Sequence, residues 1–295
     1  MQPVPRFDRV VVLGARGQLG SALVAQEWPL GISVLPATRD QVDLTDPIAV
    51  HDYIHEWRPQ VVVNAAGFTA ADRAEEEPEA AIDTNHRAVG YLVDALRSTG
   101  GRLVQVSTAD VFDGATAGWY TEHDQVNPLS VYARSMRRGE VAALQLENSL
   151  VVRSSWLYSS GGENFVRTIH RLGQTRASLD VVDDLLGCPT SVDELAGAIV
   201  TAIGAGLPYT GVFHIASPDH ATWWEVADEV LRFSGRRADV KLNRLRAAEC
   251  RPRARRPIDS RISSDAFATA YGVTLSPWRQ ALQAVLKQLE LTSIG

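Results

Sequence analysis

Lysine is almost missing from this chain: in 295 residues it occurs only at Lys241 and Lys287, and arginine supplies the rest of the positive charge. Any site built within the first 240 residues must therefore work without an ammonium group. Cysteine is nearly as scarce. Cys188 and Cys250 are too few for a disulfide framework or a zinc site, and both are expected as buried free thiols. A basic surplus is also lacking. The net charge of -6 provides no concentrated positive surface for a phosphate backbone, so no nucleic-acid partner is expected. No apolar run approaches the roughly 20 residues of a membrane-spanning helix, which excludes that class of membrane protein. The segment Met1 to Arg9 carries two prolines and no apolar signal core, so the cytoplasm is the default location.

What the chain does contain is enough apolar material, 45% of residues against 22% charged, to bury a large core. Short β-branched runs recur at Val10–Leu13, Ile32–Leu35, Val61–Val63, Leu103–Val106 and Leu150–Val152. Between them lie amphipathic stretches, among them one that starts at Pro47 behind Thr45-Asp46 and a long one from Glu79 to Arg97. This alternation predicts an α/β, doubly wound parallel sheet of the Rossmann type. The spacing loosens after about residue 155, where Gly161-Gly162, Gly187-Cys188-Pro189-Thr190 and an arginine-rich loop from Arg251 to Arg256 appear. A nucleotide-binding domain over 1–155 is expected, with a smaller substrate lobe over 156–295 that sends some segments back into the first domain.

Directly after the first strand stands Gly14-Ala15-Arg16-Gly17-Gln18-Leu19-Gly20, which opens a helix. Glycines at such a junction let the backbone turn tightly and approach a pyrophosphate, whose charge the helix amino terminus stabilises. The end of the second strand reads Ala37-Thr38-Arg39, without the acid that would bind a ribose 2′-hydroxyl. Arg39 together with Arg16 suits a 2′-phosphate, so NADP(H) is the expected cofactor. The GxxGxxG spacing resembles that of the short-chain dehydrogenases and their extended, sugar-nucleotide branch.

A closer resemblance follows downstream. Asn64-Ala65-Ala66-Gly67-Phe68-Thr69-Ala70-Ala71-Asp72-Arg73-Ala74-Glu75 is similar to the NAAAYTxVDxAE segment of dTDP-4-dehydrorhamnose reductases. Ser107-Thr108, Val111-Phe112-Asp113-Gly114, Asn127-Pro128-Leu129, Val131-Tyr132, Arg153 to Tyr158, Asn164-Phe165, Gly187 to Thr190 and Arg255-Arg256-Pro257 keep that family's order. The resemblance runs from residue 8 to about residue 285. It implies reduction of the C4 ketone of a nucleotide-linked 4-keto-6-deoxy sugar by NADPH, with Tyr132 as proton donor and Thr108 hydrogen-bonded to the carbonyl oxygen. It further implies that Trp156 lines the sugar pocket and that the Arg253 to Pro257 loop lies on the substrate side. Cofactor contacts are implied for Gly14, Arg16, Gly17, Gln18, Leu19, Gly20, Arg39, Asp43, Leu44, Ala65, Ala66, Gly67, Thr69, Asn85, Val106 and Tyr132, with Asp43 on the adenine side. No carboxylate cluster marks a metal site, and a homodimer is an assembly the sequence leaves open.

Two positions depart from the family pattern. Asp110 follows Ala109 where the family has Asp-Tyr, which changes the hydrogen bonding of the catalytic and substrate pocket. Met136 stands one helical turn after Tyr132, where the family carries a lysine that clamps the nicotinamide ribose and lowers the tyrosine pKa. Methionine does neither, yet a phenol with an ordinary pKa of about 10 is still protonated at neutral pH. Neither Arg137 nor Arg134 shares the face of Tyr132, so a replacement charge has to come from elsewhere in the fold. Two other readings stay open: a catalytically silent NADP(H)-binding regulatory subunit, suggested by Met136, and a sugar-nucleotide epimerase, dehydratase or rearranging enzyme, suggested by Asp110.

Overall fold

Five short strands, each followed by a helix or a loop, build the sheet expected from the valine-rich runs. The structure is a computed structural model that describes residues 7–116, 118–250 and 252–293. The amino-terminal stretch Met1–Arg6 and Arg251 of the arginine-rich loop lie outside the described residues. The strands are β1 (Arg9–Leu13), β2 (Ser33–Ala37), β3 (Val61–Asn64), β4 (Arg102–Thr108) and β5 (Ser149–Ser154). The late strand Gly211–His214 pairs with β5, giving the order Gly211–His214, β5, β4, β3, β1, β2, with every pairing parallel. From β1 the chain goes first to β2 on one side and then to β3 on the other. A crevice therefore opens at the carboxyl ends of β1 and β3, where doubly wound sheets bind ligands.

Val10–Val12, Val61–Val63 and Leu150–Val152 are wholly buried because helices cover both faces of the sheet. Helices Gln18–Ala25 and Val192–Gly204 pack on one face, and Pro47–Trp57 and Ala88–Thr99 on the other. A separate core surrounds the parallel strand pair Ser178–Val182 and Lys241–Leu245, enclosed by helices Phe165–Thr175, Trp223–Phe233 and Trp278–Ser293. Among the described residues, no helix is long and apolar enough to cross a membrane.

The stretch Glu79 to Arg97 does not form one regular helix. Helix Pro78–Ile82 passes through a π-helical turn, Asp83–Arg87, into helix Ala88–Thr99. The wider turn carries Asn85, whose amide donates to the Phe68 carbonyl at 3.1 Å and to Ser135 Oγ at 2.9 Å, and accepts from the Phe68 N–H at 2.7 Å. Helix Val131–Ala143 packs so tightly here that a Cβ on Gly139 would lie 2.1 Å from the Asn85 carbonyl oxygen. Two acceptors start that helix: Ser130 Oγ takes the Ala133 N–H at 3.1 Å and Glu75 Oε1 takes the Val131 N–H at 2.8 Å.

Candidate active site

Two cavities open at the carboxyl ends of the strands. The smaller, of about 290 Å³, is walled by Gly14, Gly17, Thr38, Arg39, Asp43, Leu44 and the run Ala65–Gly67. Its glycines are required by space. Gly14 has φ +73°, and a Cβ there would stand 2.7 Å from the Ala66 N; a Cβ on Gly20 would stand 2.1 Å from the Gly14 oxygen. Gly17 caps helix Gln18–Ala25 without any side chain, which leaves that helix's first N–H groups facing outward. A backbone cradle of this kind fits a dinucleotide pyrophosphate. Substituting Gly20→Ala is expected to cost about 1–3 kcal/mol through overpacking, read from the urea midpoint, because the three atoms nearest the added methyl are all backbone. An unchanged midpoint would contradict this packing.

Arg39 lines this cavity with an exposed side chain, 3.7 Å from Asp43. Asp43 itself accepts from the Thr45 N–H at 3.0 Å and the Thr45 hydroxyl at 2.8 Å, and these bonds hold its carboxyl below the ordinary range, with a smaller pull from Arg39. Arg16 reaches out from the glycine loop and pairs with Asp40. Leu19 and Gly20 are buried beneath the loop, and Val106 packs against the core within β4. Asn85 is engaged by Phe68 and Ser135, so it holds the loop after β3 against the Tyr132 helix.

The larger cavity, of about 740 Å³, lies where the two cores meet. Its wall includes Gln18, Thr69, Thr108, Asp110, Tyr132 and Trp156, so six of the residues singled out from the sequence are brought together. Gln18 reaches across to the second core: its Oε1 accepts from Ser159 Oγ at 2.8 Å and Asn164 Nδ2 at 2.9 Å. Trp156 has φ +45°, an uncommon conformation for a non-glycine residue, and stacks on Trp223 with ring centroids 3.7 Å apart. Arg253 is not part of this wall. It pairs with Glu76 on the outside, and Arg256 from the same loop lines the cavity in its place.

Thr108 ends β4 and caps the 3₁₀ turn Ala109–Val111, accepting the Asp110 N–H at 3.1 Å. Its own O–H is thereby left to donate to the Tyr132 phenol, and this bond favours the phenolate. Burial acts more strongly in the opposite direction. Tyr132 and Asp110 are half-buried on the cavity wall, and desolvation there pushes both pKa values up. The Asp110 charge raises the phenol further, while Arg256 pulls both groups down. The site thus holds a protonated phenol, a hydroxyl donor, a carboxyl and one guanidinium around a single space.

Met136 is only 8% exposed and does not line the cavity. One turn beyond it on the same helix, Glu140 forms a buried network that the sequence reading missed. It accepts from Ser107 Oγ at 2.6 Å, from both ends of the Arg153 guanidinium at 2.8 Å and from Arg137 at 2.8 Å. The four-residue spacing of Tyr132, Met136 and Glu140 was the available signal. Burial drives the Glu140 pKa up, but Arg153, Ser107 and Arg137 outweigh it and hold the carboxyl below its ordinary value. Cysteine is corrected in part: Cys188 is buried, its thiol pushed up to about 12 by desolvation, whereas Cys250 is exposed at the cavity wall.

The sheet order, the glycine cradle and a tyrosine paired with a threonine at the end of β4 define a nucleotide-binding fold of the extended short-chain dehydrogenase class. The model of the RmlD substrate binding domain matches residues 8–291. A dTDP-4-dehydrorhamnose reductase of Sinorhizobium fredii is 35% identical, over 96% of this chain and 98% of that one. A dTDP-4-keto-6-deoxy-D-glucose reductase of Streptomyces niveus is 36% identical, over 93% and 95%. The crystal structure of a dTDP-4-dehydrorhamnose reductase from Bacillus anthracis, in complex with NADP, superposes with a TM-score of 0.91 at 28% identity, covering 96% of this chain and all of that one. The chain belongs to the dTDP-4-dehydrorhamnose reductase family.

Proposed function

We propose that this protein reduces the C4 ketone of a nucleotide-linked 4-keto-6-deoxy sugar, of the dTDP type, with NADPH as reductant. The observation that carries this reading is the Tyr132 phenol beside the Thr108 hydroxyl on the wall of one large cavity. NADPH supplies the hydride when bound. The chain's own residues do the rest. Gly14, Gly17 and the exposed amino terminus of helix Gln18–Ala25 receive the pyrophosphate, and Ala65–Gly67 and Leu44 flank the adenosine half. When the sugar binds, Thr108 turns its single O–H from the phenol to the ketone oxygen, and Tyr132 delivers the proton that turns that oxygen into a hydroxyl. Trp156, stacked on Trp223, closes the sugar side. The reductase names of the Sinorhizobium and Streptomyces relatives, and the NADP of the Bacillus structure, support the substrate class and the cofactor.

The test mixes the protein with NADPH and a dTDP-4-keto-6-deoxyhexose and follows loss of the reduced nicotinamide absorbance. Oxidation above a Tyr132→Phe control is expected. Cofactor binding without turnover would instead indicate a silent binding protein, and sugar conversion without net cofactor oxidation an epimerase or dehydratase. Arg39 is assigned to the 2′-phosphate, since it is the cation on the wall of the smaller cavity. Arg39→Ala should therefore raise the Kd for NADPH about tenfold and leave that for NADH unchanged. Equal weakening of both cofactors would remove this assignment.

A further inference from the structure

The missing lysine leaves a physical problem. As Tyr132 gives up its proton, negative charge develops on a phenol that already faces Asp110 in a desolvated cavity. Nearby cations on the same helix do not answer it. Arg134 donates to the Leu129 carbonyl at 3.1 Å, and Arg137 is drawn to Glu140 at 2.8 Å. Neither these two nor Arg138, the third arginine of the helix, lines the cavity. Lys241 sits in the strand paired with Ser178–Val182, with its side chain exposed, and Lys287 lies on helix Trp278–Ser293. Among the described residues, Arg256 is the cation on the cavity wall, which it shares with Asp110 and Tyr132.

Its loop is fixed to the nucleotide-binding half of the fold. Asp72 Oδ1 accepts the Ala254 N–H at 2.9 Å, Asp72 also stands 3.6 Å from the Arg256 guanidinium, and Glu76 pairs with Arg253. Helix Ala71–Glu76, which carries both acids, belongs to the same segment whose Glu75 caps the Tyr132 helix. One short helix thus positions the phenol from one side and the guanidinium from the other.

We propose that Arg256 takes over the electrostatic part of the absent lysine's task, acting across the cavity from the substrate loop to neutralise Asp110 and stabilise the developing charge on Tyr132. Arg256 is in this sense a positioning residue that works through Tyr132 and Asp110. The proposal rests on the reductase reading for its consequence in turnover, but not for its charge geometry. A guanidinium can fill this role because it keeps its charge throughout the accessible pH range and its fork reaches more than one acceptor. The charged groups facing Asp110 are Arg256 from the loop and Tyr132 from its helix, with Asp72 sharing the guanidinium and Asp180 on the same cavity wall.

Two measurements test it. In the first, Arg256→Gln, Arg256→Lys and Met136→Lys are compared singly and as the double variant Met136→Lys/Arg256→Gln. Arg256→Gln should lower kcat by about tenfold or more with KM changed less, Arg256→Lys should keep most of the rate, and Met136→Lys should make the loss of Arg256 much smaller. A rise in KM alone, or the same loss with and without Met136→Lys, would overturn the proposal and make Arg256 a substrate-binding residue. The second measurement needs neither turnover nor a folded Met136→Lys variant. The carboxyl of Asp110 is titrated by NMR on protein with labelled aspartate, its signal identified through Asp110→Asn. Its midpoint should rise in Arg256→Gln and stay near the parent value in Arg256→Lys. An unmoved midpoint in Arg256→Gln refutes the charge coupling, whereas a shifted midpoint in a protein that fails to turn over the sugar leaves the coupling standing and refutes the reductase reading alone.

Discussion

Replacing Tyr132 by phenylalanine should lower kcat for sugar reduction by roughly 10²- to 10⁴-fold while NADPH still binds, since general acid catalysis contributes about that much and the ring keeps its packing. The pH dependence follows from the surroundings of the phenol. Burial raises its pKa, Asp110 raises it further, and the Thr108 bond and Arg256 recover only part of the shift. The donor therefore stays protonated beyond the ordinary tyrosine pKa of about 10. No loss of rate from its ionisation is expected on the alkaline side up to that pH. Steady-state kinetics across pH, together with cofactor titration of the variant, check both statements. A phenylalanine variant with the parent's kcat would remove Tyr132 from the chemistry, and an alkaline limb near neutrality that the variant lacks would contradict the raised pKa.

Substituting Glu140→Ala should destabilise the fold by about 3–5 kcal/mol, because it leaves the Arg153 guanidinium, only 3% exposed, buried without its partner. The network ties three elements behind the active site: Ser107 at the end of β4, Arg153 in β5 and the helix that carries Tyr132. Urea unfolding of the variant gives the magnitude, and a loss below about 1 kcal/mol would show that the pair contributes little beyond a surface contact. The sign with pH is determined by the depressed carboxyl. A group whose folded pKa is below its unfolded value of about 4.3 contributes its full stability above that pH and loses it as pH falls through the folded value. The parent should therefore weaken on acidification in a way that the alanine variant does not share. Activity should fall along with stability, since the Tyr132 helix loses its anchor to the sheet.

The glycine loop, the sheet and the Thr108 and Tyr132 pair proposed for catalysis were legible in the sequence because each is a local pattern. Gly14, Gly17 and Gly20 sit at a strand-to-helix junction, and β-branched runs report burial on both faces regardless of what covers them. Thr108 and Tyr132 were found through their neighbours in the chain. Asn85 and Gln18 were located, but the reading gave no account of their hydrogen bonds, which reach residues 17, 50 and more than 140 positions away. The break in the helix between Glu79 and Arg97 escaped for the same reason: its periodicity is continuous, and the wider turn lies where Gly139, distant in the chain, approaches Asn85 closely. Arg253 and Arg256 are three residues apart in an arginine-rich loop, and nothing local distinguishes the one that pairs with Glu76 outside from the one that lines the cavity.

By itself, then, the sequence determined the fold class, the glycine loop, the candidate Tyr132 and the absence of any lysine before residue 241, all of which are read from residues adjacent in the chain or one helical turn apart. The tertiary structure decided which charges meet. It turned Arg137 towards Glu140, joined Glu140 to Arg153 inside the core and brought Arg256 from the far end of the chain to the space shared by Asp110 and Tyr132. Electrostatic coupling depends on distance through the folded interior and on how far water is excluded from it. Neither quantity is a property of sequence spacing, so the question left by Met136 could be answered only where the two cores close over one cavity.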